Sequence, residues 1–472
     1  MLFNTVDFAV FLPIVLLLYW TVFKKSLTLQ NIFIVVVSYF FYSCWDWRFL
    51  GLIFLSSLVD YTIGYQFTKP VSQKYKKGLL FVSVFFNLGL LVTFKYFNFF
   101  IASFTDVFSL FGTELNPTSF SIILPVGISF YTFQTLSYTI DLYRGKIRPT
   151  KNVIQFFAFV SFFPQLVAGP IERASHLLPQ FAKKRRFQYA QQVDGLRLIL
   201  GGLFKKMVIA DNCALMANQI FESYTMQSGS TLFVGAVFFA FQIYGDFSGY
   251  SDIAIGSSRL LGFDLMKNFN FPYLSQNVSE FWKRWHISLS TWFRDYVYFP
   301  LGGSRVSKGR LIGNIFIVFL LSGLWHGANL TFVFWGAIHA IFVIPVILLH
   351  KKNGIHTPGL HVPLWRQLLN IAGTFSIVVL AWVFFRAPTL IDAFQYLEII
   401  FSSSLFTMPV VSRSALVFLF LYMCIEWLQR HREHVLDVSH ISKSVRVIIY
   451  YGVCFAIFYF AGDLQPFIYF QF

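Results

Sequence analysis

The sequence is short of charge. Only 12% of its 472 residues are Asp, Glu, Lys or Arg, while 56% are hydrophobic. A soluble domain carries about twice that charged share. With a mean hydropathy of +0.63, the composition excludes a soluble enzyme of this size and points to an all-α, polytopic membrane protein. Cysteine is also scarce. Cys44, Cys213, Cys424 and Cys454 are far apart, form no CxxC pair and lie mostly in apolar surroundings, so buried structural thiols are expected rather than a disulfide framework. There is no GxSxG elbow, P-loop or HExxH, and "HREH" at 431–434 lacks the zinc-protease spacing. Covalent serine and metal mechanisms therefore have no motif behind them. No internal repeat and no low-complexity linker divides the chain, so one domain over 1–472 is expected. The absence of an inverted repeat argues against a carrier. The first seven residues hold Asp7 and no Lys or Arg. Without a basic n-region, the first apolar run reads as a retained span, not a cleaved signal.

What is present is a series of apolar runs. A spanning helix needs about 20 mostly apolar residues. Candidate runs lie near 8–23, 31–45, 48–64, 79–104, 119–140, 153–169, 193–211, 232–256, 312–332, 331–349, 368–386, 414–428 and 446–462. That predicts roughly eleven to thirteen helical segments by the length rule, some short enough to be re-entrant. A pair of helices after about residue 400 would flank the basic stretch "EWLQRHREH". The net charge of +16 comes from bases between the runs, at Lys24-Lys25, Lys74, Lys76, Lys77, 183–186, Lys205-Lys206 and 430–432. Such loops suit the positive-inside rule and anionic membrane lipids. With no nucleic-acid module in the sequence, nucleic acid is not an expected partner. Aromatics make up 20% of the chain and are expected mainly as lipid-facing bulk and interface anchors.

Ionisable groups at membrane depth cost about 2.5–3.5 kcal/mol each on insertion scales and mark functional sites. His326 follows an apolar span in "LSGLWHGANLTFVFWGAIHA" (321–340), with Trp325 before it and Asn329 just after. Gly323 and Gly327 would leave a bare stripe for another backbone or an acyl chain. His326 reads either as a general base in a buried pocket or as a hydrogen-bonded core histidine. His339 reads as packing. His286 lies in "SEFWKRWHISLSTWFRDYVYFPLGGSR" (279–305), a stretch too charged to span and too aromatic for an ordinary loop. As one helix starting at Ser279, it places Trp282, Trp285, Leu289, Trp292 and Phe293 on one side and Lys283, Arg284 and Arg294 elsewhere. That is an amphipathic helix at an interface or folded into a cavity, with Ser290 on it and His286 at the edge of its aromatic face, where the pattern alone favours an interfacial histidine with no chemistry over a site residue. Asp246 and Asp252 are six residues apart, about 240° around a helix. A joint acid/base pair is disfavoured, and each is expected to pair with an Arg such as Arg259 or with backbone donors. In "FFPQLVAGPIERASHLLPQF" (162–181) the Gly-Pro ends a helix before Glu172 and Arg173. These two either hold a phosphate- or carbonyl-bearing ligand or form a simple ion pair.

Five blocks, in order, resemble the membrane-bound O-acyltransferase family. They are "ILPVGISFYTFQTLSYTIDLYRG" (123–145), "FFPQLVAGPIER" (162–173), "YGDFSGYSDIAIG" (244–256), "FWKRWHISLSTWFRDYVYFPLGGSR" (281–305) and "GLWHGANLTFVFWGAIHA" (323–340), a core region of about 120–340. The likeness is to its bacterial branch of alginate and peptidoglycan O-acetylation. The resemblance implies a helical bundle around a tunnel in the cell membrane. His326 matches the family's invariant histidine and His286 its second important one. Trp285, Trp325, Asn329, Ser290, Asp246, Glu172 and Arg173 are expected to line the tunnel or touch substrate. No bound cofactor and no metal is implied; acetyl-CoA is the expected donor, its phosphates held by basic loops. His326 would take the hydroxyl proton and His286 would position or polarise the carbonyl, with water excluded. An extracytoplasmic SGNH-type partner would pass the acetyl group to a polysaccharide such as alginate. Peptidoglycan acetylation, D-alanyl transfer to teichoic acid and a non-enzymatic carrier with proton-relay histidines are the alternatives.

Overall fold

The structure, a computed structural model, describes residues 1–111, 123–167, 169–353, 363–463 and 465–470. Residues 119–122 of the expected span 119–140, and Ala168 of the proline-glycine block, lie outside the described residues. All regular structure among the described residues is helical.

Among them, seven stretches are long and apolar enough to cross a membrane: Leu27–Gln66, Gln73–Thr105, Gly229–Leu260, Lys308–His326, Leu330–Leu349, Leu364–Arg386 and Lys443–Phe460. The count is lower than the number of apolar runs for local reasons. The runs at 31–45 and 48–64 both fall within Leu27–Gln66. The run at 153–169 ends early, because the helix Val153–Ser161 stops where Phe162 leaves helical geometry ahead of Pro164. The run at 193–211 forms Tyr189–Leu203 and then a wider π-helical turn, Phe204–Ala210. The expected late pair is present as Arg413–Gln429 and Lys443–Phe460. Hydropathy alone does not say what these helices face. Gly229–Leu260 is 83% buried over its apolar window, whereas none of the Lys443–Phe460 window is buried. The latter shows Ile448, Tyr451, Phe455, Phe458 and Tyr459 outward, a surface suited to lipid.

The chain forms two compact units. The first comprises Met1–Leu196 and Ala254–Met266. Its helices Leu50–Gln66, Gln73–Leu91 and Ile128–Tyr143 pack together around a buried carboxyl, Asp60, which accepts hydrogen bonds from Ser83, from Asn87 Nδ2 at 2.7 Å and from Thr139 Oγ1 at 3.0 Å. Gly127 starts the helix Ile128–Tyr143 with φ +75°, and a Cβ there would lie 2.5 Å from the carbonyl oxygen of Leu166. Only glycine fits both demands.

The second unit comprises Arg197–Ile253 and Lys267–Phe472. At its centre Lys308–His326 and Leu330–Asn353 form a tight helical hairpin. The glycine stripe is what closes it. A Cβ on Gly323 would lie 2.2 Å from the carbonyl oxygen of Phe332, and one on Gly327 would lie 2.1 Å from the Phe332 ring. Of the two occupants the stripe allowed, a neighbouring backbone and its phenylalanine fill it, not an acyl chain.

Several local expectations are corrected. Lys205 and Lys206 do not face headgroups. Both are buried on the π-helical turn, Lys205 Nζ 2.8 Å from Asp252 and Lys206 Nζ 2.8 Å from Asp211 and 2.9 Å from Asp246. Arg259 therefore takes neither carboxylate and pairs with Asp194 instead. Asp246 and Asp252 do point to different partners, as their helical spacing requires. Among the cysteines only Cys213 is buried, and Cys44 is exposed on an outward helix face.

Candidate active site

The stretch around His286 is not one helix. It forms two short ones, Val278–Arg284 and Ile287–Phe293. The first is capped not by Ser279 but by Asn277, whose side chain accepts from the Glu280 N–H at 2.9 Å. Between them Trp285 is extended and His286 is left-handed, with φ +42°. The break has a backbone cause. Segment 268–270 runs alongside, so that Asn270 N donates to the Arg284 carbonyl at 2.9 Å and Ile287 N donates to the Asn268 carbonyl at 2.8 Å. A left-handed non-glycine residue costs about 1–3 kcal/mol and persists only where its surroundings dictate it. Extended backbone turns neighbouring side chains to opposite sides. Trp285 goes into an aromatic core against Phe269, Phe281 and Trp382, with ring centroids 5.1, 5.5 and 5.1 Å away. His286 goes the other way, toward His326.

His326 is the last residue of its helix, and Gly327 leaves it in an extended conformation. The two imidazoles, from different elements, lie 6.4 Å apart between centroids. Both are buried. Trp325 borders both rings, at 5.7 Å from His286 and 5.0 Å from His326. Phe247 packs on His286 at 4.6 Å, and Trp335 and Phe385 each pack on His326 at 5.2 Å. Tyr469 completes the enclosure, 5.7 Å from His326 and 6.5 Å from His286.

The tautomer of His286 follows from its neighbours. Its Nδ1 lies 3.1 Å from Asn268 Oδ1. That same atom accepts from the Ser288 N–H and, at 2.9 Å, from the Ser288 hydroxyl, while Asn268 Nδ2 donates to Ser251. A backbone N–H is only a donor, so the Asn268 atom facing it is oxygen. His286 Nδ1 therefore carries the hydrogen and Nε2 the lone pair. Nε2 is buried and has no hydrogen-bond partner among the described residues. Burial pushes this imidazole down to about 3, so it stays neutral.

The other expected residues sit apart from the two rings. Ser290 donates to the Trp285 carbonyl at 3.3 Å and lines a groove of about 510 Å³ with Lys283, Arg294, Phe319 and Ser322. Asn329 caps the next helix, accepting from Thr331 N and donating to the Pro388 carbonyl, both within 3.0 Å. His339 accepts from the Trp282 indole at 3.3 Å and packs on Phe281, as expected. Asp246 has no open face, since Lys206 holds one oxygen and the Ile468 N–H holds the other at 2.7 Å. Glu172 belongs to the first unit, where it binds His176 Nδ1 at 2.8 Å and the Met266 N–H at 2.6 Å. Its hydrogen bond raises His176 above the usual imidazole range. Arg173, also buried, belongs to the same unit.

Three residues near or behind this site were not singled out from the sequence. Asn268 is a polar residue in a span-free stretch. Glu426 sits inside an apolar run, accepting from Tyr244 at 2.5 Å and Tyr422 at 2.7 Å; the rule for intramembrane carboxyls points to it. Tyr469 carries no local signal at all.

Residues 39–366, which include both histidines, match the model of the membrane-bound O-acyltransferase family. The chain belongs to this family. It is 39% identical over 407 residues to the probable alginate O-acetylase of Pseudomonas aeruginosa, covering 86% of this chain and 76% of that one. It is 35% identical over 427 residues to the peptidoglycan O-acetyltransferase of Helicobacter pylori, covering 84% and 79%. The teichoic acid D-alanyltransferase of Bacillus subtilis is more distant, 29% identical over 276 residues, covering 56% and 69%. In this multi-pass membrane O-acyltransferase, two buried histidines share one aromatic enclosure, His326 at the end of a candidate span and His286 outside the candidate spans.

Proposed function

We propose that this protein carries an acetyl group from a cytoplasmic thioester, acetyl-CoA, across the cell membrane for O-acetylation of an extracytoplasmic polysaccharide, alginate or an alginate-like polymer. The identity to the Pseudomonas aeruginosa protein over most of both chains supports the acceptor class. One observation carries the chemistry: two buried imidazoles from separate elements share one aromatic enclosure. His326 is the base that takes the proton of the attacking hydroxyl. His286 has another part than polarising the carbonyl. Its Nε2 bears no hydrogen and cannot donate, and its low basicity makes it a poor proton acceptor. It orients the hydroxyl by accepting its hydrogen bond. The apolar walls keep water from the thioester. A secreted SGNH-type partner places the acetyl group on the glycan, because nothing in this chain resembles a soluble transferase domain. Both units form one integral membrane domain in this reading.

The test uses purified protein in sealed vesicles with labelled acetyl-CoA on one side. Label is followed from CoA to the far side, with partner and glycan added, for wild type, His326→Ala and His286→Ala. Histidine-dependent transfer to alginate is the expected result. Transfer to peptidoglycan fragments instead would favour the second reading, which the 35% identity to the Helicobacter pylori enzyme supports. Silence with partner and acceptor present would move the assignment to a carrier-protein donor and D-alanyl transfer, or to a non-enzymatic carrier.

A further inference from the structure

In the first unit, the basic loop 182–190 is exposed at every position but one, Arg185. That residue is only 7% exposed. A guanidinium keeps its charge and offers donors alone. Buried, it needs acceptors and an opposite charge. Arg185 has few of the former. Its Nη2 donates to Asn31 Oδ1 at 2.8 Å and to Gln30 Oε1 at 3.3 Å, both neutral amides. Its Nε and Nη1 are buried with no hydrogen-bond partner among the described residues. No carboxylate there pairs with it; the ionisable group acting on it is the Tyr19 phenol. We propose that this cradle binds a phosphate oxyanion, whose oxygens accept from the N–H groups of Arg185 that the two amides leave open and from the Tyr19 hydroxyl. The proposal stands apart from the acetyl-transfer reading.

The cradle is built to leave donors over. Asn31 Nδ2 donates to the Phe181 carbonyl at 2.9 Å and Gln30 Nε2 to the Tyr19 carbonyl at 3.5 Å. These bonds fix which way both amides face and commit their oxygens to Nη2. The guanidinium lies 4.9 Å from the Phe263 ring and 5.8 Å from the Tyr19 ring. Cation–π attraction offsets part of the desolvation, but it gives Nε and Nη1 no lone pair of their own. The Tyr19 hydroxyl, beside the guanidinium, is also buried and outside hydrogen-bond geometry with any described group. The Arg185 side chain is seated by its stem. A Cβ on Gly262, where φ is +81°, would lie 3.3 Å from Arg185 Cβ.

The surroundings say where a phosphate would come from. Lys183, Lys184 and Arg186 flank Arg185 in the exposed loop. Phe187, 58% exposed, meets Trp20 edge-on at 5.6 Å. That contact brings the loop to the end of the apolar helix Val6–Thr21, where Lys24 and Lys25 are exposed as well. Bases and aromatics gathered at the end of an apolar helix mark a membrane–water boundary, the cytoplasmic one by the positive-inside rule. Phosphate is present there as the headgroup of an anionic phospholipid and as a free anion. The exposed bases attract either; the buried guanidinium is what holds it.

The test follows the unfolding midpoint of purified, delipidated protein in neutral detergent. Phosphatidylglycerol, diacylglycerol with the same chains, or inorganic phosphate is added to wild type, to Arg185→Gln and to a Lys183→Gln/Lys184→Gln double variant. A ligand that binds only the folded state raises its midpoint. Phosphatidylglycerol is expected to raise the wild-type midpoint, and diacylglycerol to leave it unchanged. Arg185→Gln should weaken the lipid about 10–100-fold, the worth of charge-assisted hydrogen bonds, and the double variant much less. A rise with inorganic phosphate alone keeps the site and makes a free anion its occupant. No rise with either phosphate source, or an equal rise in wild type and Arg185→Gln, overturns the proposal. So does a loss in the double variant as large as in Arg185→Gln, because surface charge alone would then account for binding. Should Arg185→Gln not fold, Arg185→Lys takes its place; it keeps the charge, loses the planar fork and is expected to lose most of the rise.

Discussion

Each compact unit holds a buried polar cluster among apolar helices, and the Asp60 cluster of the first and the His286 cluster of the second are built in opposite ways. In the first unit Asp60 is fully surrounded by donors. Ser83, Asn87 and Thr139 serve its two oxygens, and Asn87 in turn accepts from Ser56 and Thr135. In the second unit His286 is anchored on one side only, and both its Nε2 and the Tyr469 hydroxyl have no hydrogen-bond partner among the described residues. A satisfied buried polar network fixes helix register and gives a ligand nothing to bind. An incompletely satisfied one carries a standing cost that a substrate removes. The contrast predicts that the first cluster serves stability and the second serves turnover.

Exchanging the two removals tests this most directly. His326→Ala is expected to lower turnover by roughly 10²–10⁴-fold, the usual worth of a positioned base, with little change in unfolding midpoint. Asp60→Ala is expected to do the reverse. Each donor left behind costs about 1–3 kcal/mol, so the midpoint falls while kcat per folded molecule holds. An Asp60→Ala protein that folded normally but lost transfer would break the comparison and put Asp60 in the mechanism.

A smaller effect is expected from the anchor of His286. Asn268→Ala removes the acceptor that sets the Nδ1–H tautomer, and kcat should fall about tenfold, as for loss of an orienting partner. Asn268→Asp keeps an oxygen facing Nδ1 and should restore much of the rate. Nitrogen NMR of labelled histidine reads the tautomer directly. If Nδ1 is the protonated nitrogen in wild type and in Asn268→Ala alike, the backbone and not Asn268 sets the tautomer.

The same contrast explains what was legible in the sequence. The helical class, the membrane setting and the late helix pair follow from hydropathy, which is a property of composition. His326 stands out because an ionisable group in an apolar run is costly wherever it lies, and His286 because it sits in a stretch too charged to span and too aromatic for an ordinary loop. What was not legible depends on long-range pairing. Lys205 and Lys206 look like a loop of the positive-inside kind. They are buried because Asp252 sits 47 positions away from Lys205, and Asp246 40 positions from Lys206, where no local pattern reports them. The helix through Trp285 has sound 3-4 spacing, yet two hydrogen bonds from 268–270 break it. Asn329 resembles a site residue only by being near His326 in sequence; the helix end turns it to Pro388. Tyr469 becomes visible only when the chain brings it back to residues more than a hundred positions earlier.

The weakest effect lies in the first unit and probes the paired type of cluster at a partly exposed site. His176 binds Glu172, which raises the imidazole above its unperturbed value. A raised folded-state value means the native protein holds that proton more tightly than the unfolded chain. The contribution is therefore fully present below the unfolded value, near 6.5, and is lost as pH rises through the folded value. The His176 side chain is 35% exposed, so solvent screening keeps the effect small. Wild type minus His176→Gln in unfolding midpoint should be positive on the acid side and shrink as the pH is raised through neutrality, with acetyl transfer equal in the two proteins at every pH. A difference that stays constant would mean that the His176–Glu172 contact is a neutral hydrogen bond. A difference in transfer rate would draw Glu172 into the chemistry and dissolve the separation between the clusters that hold the fold and those that act on substrate.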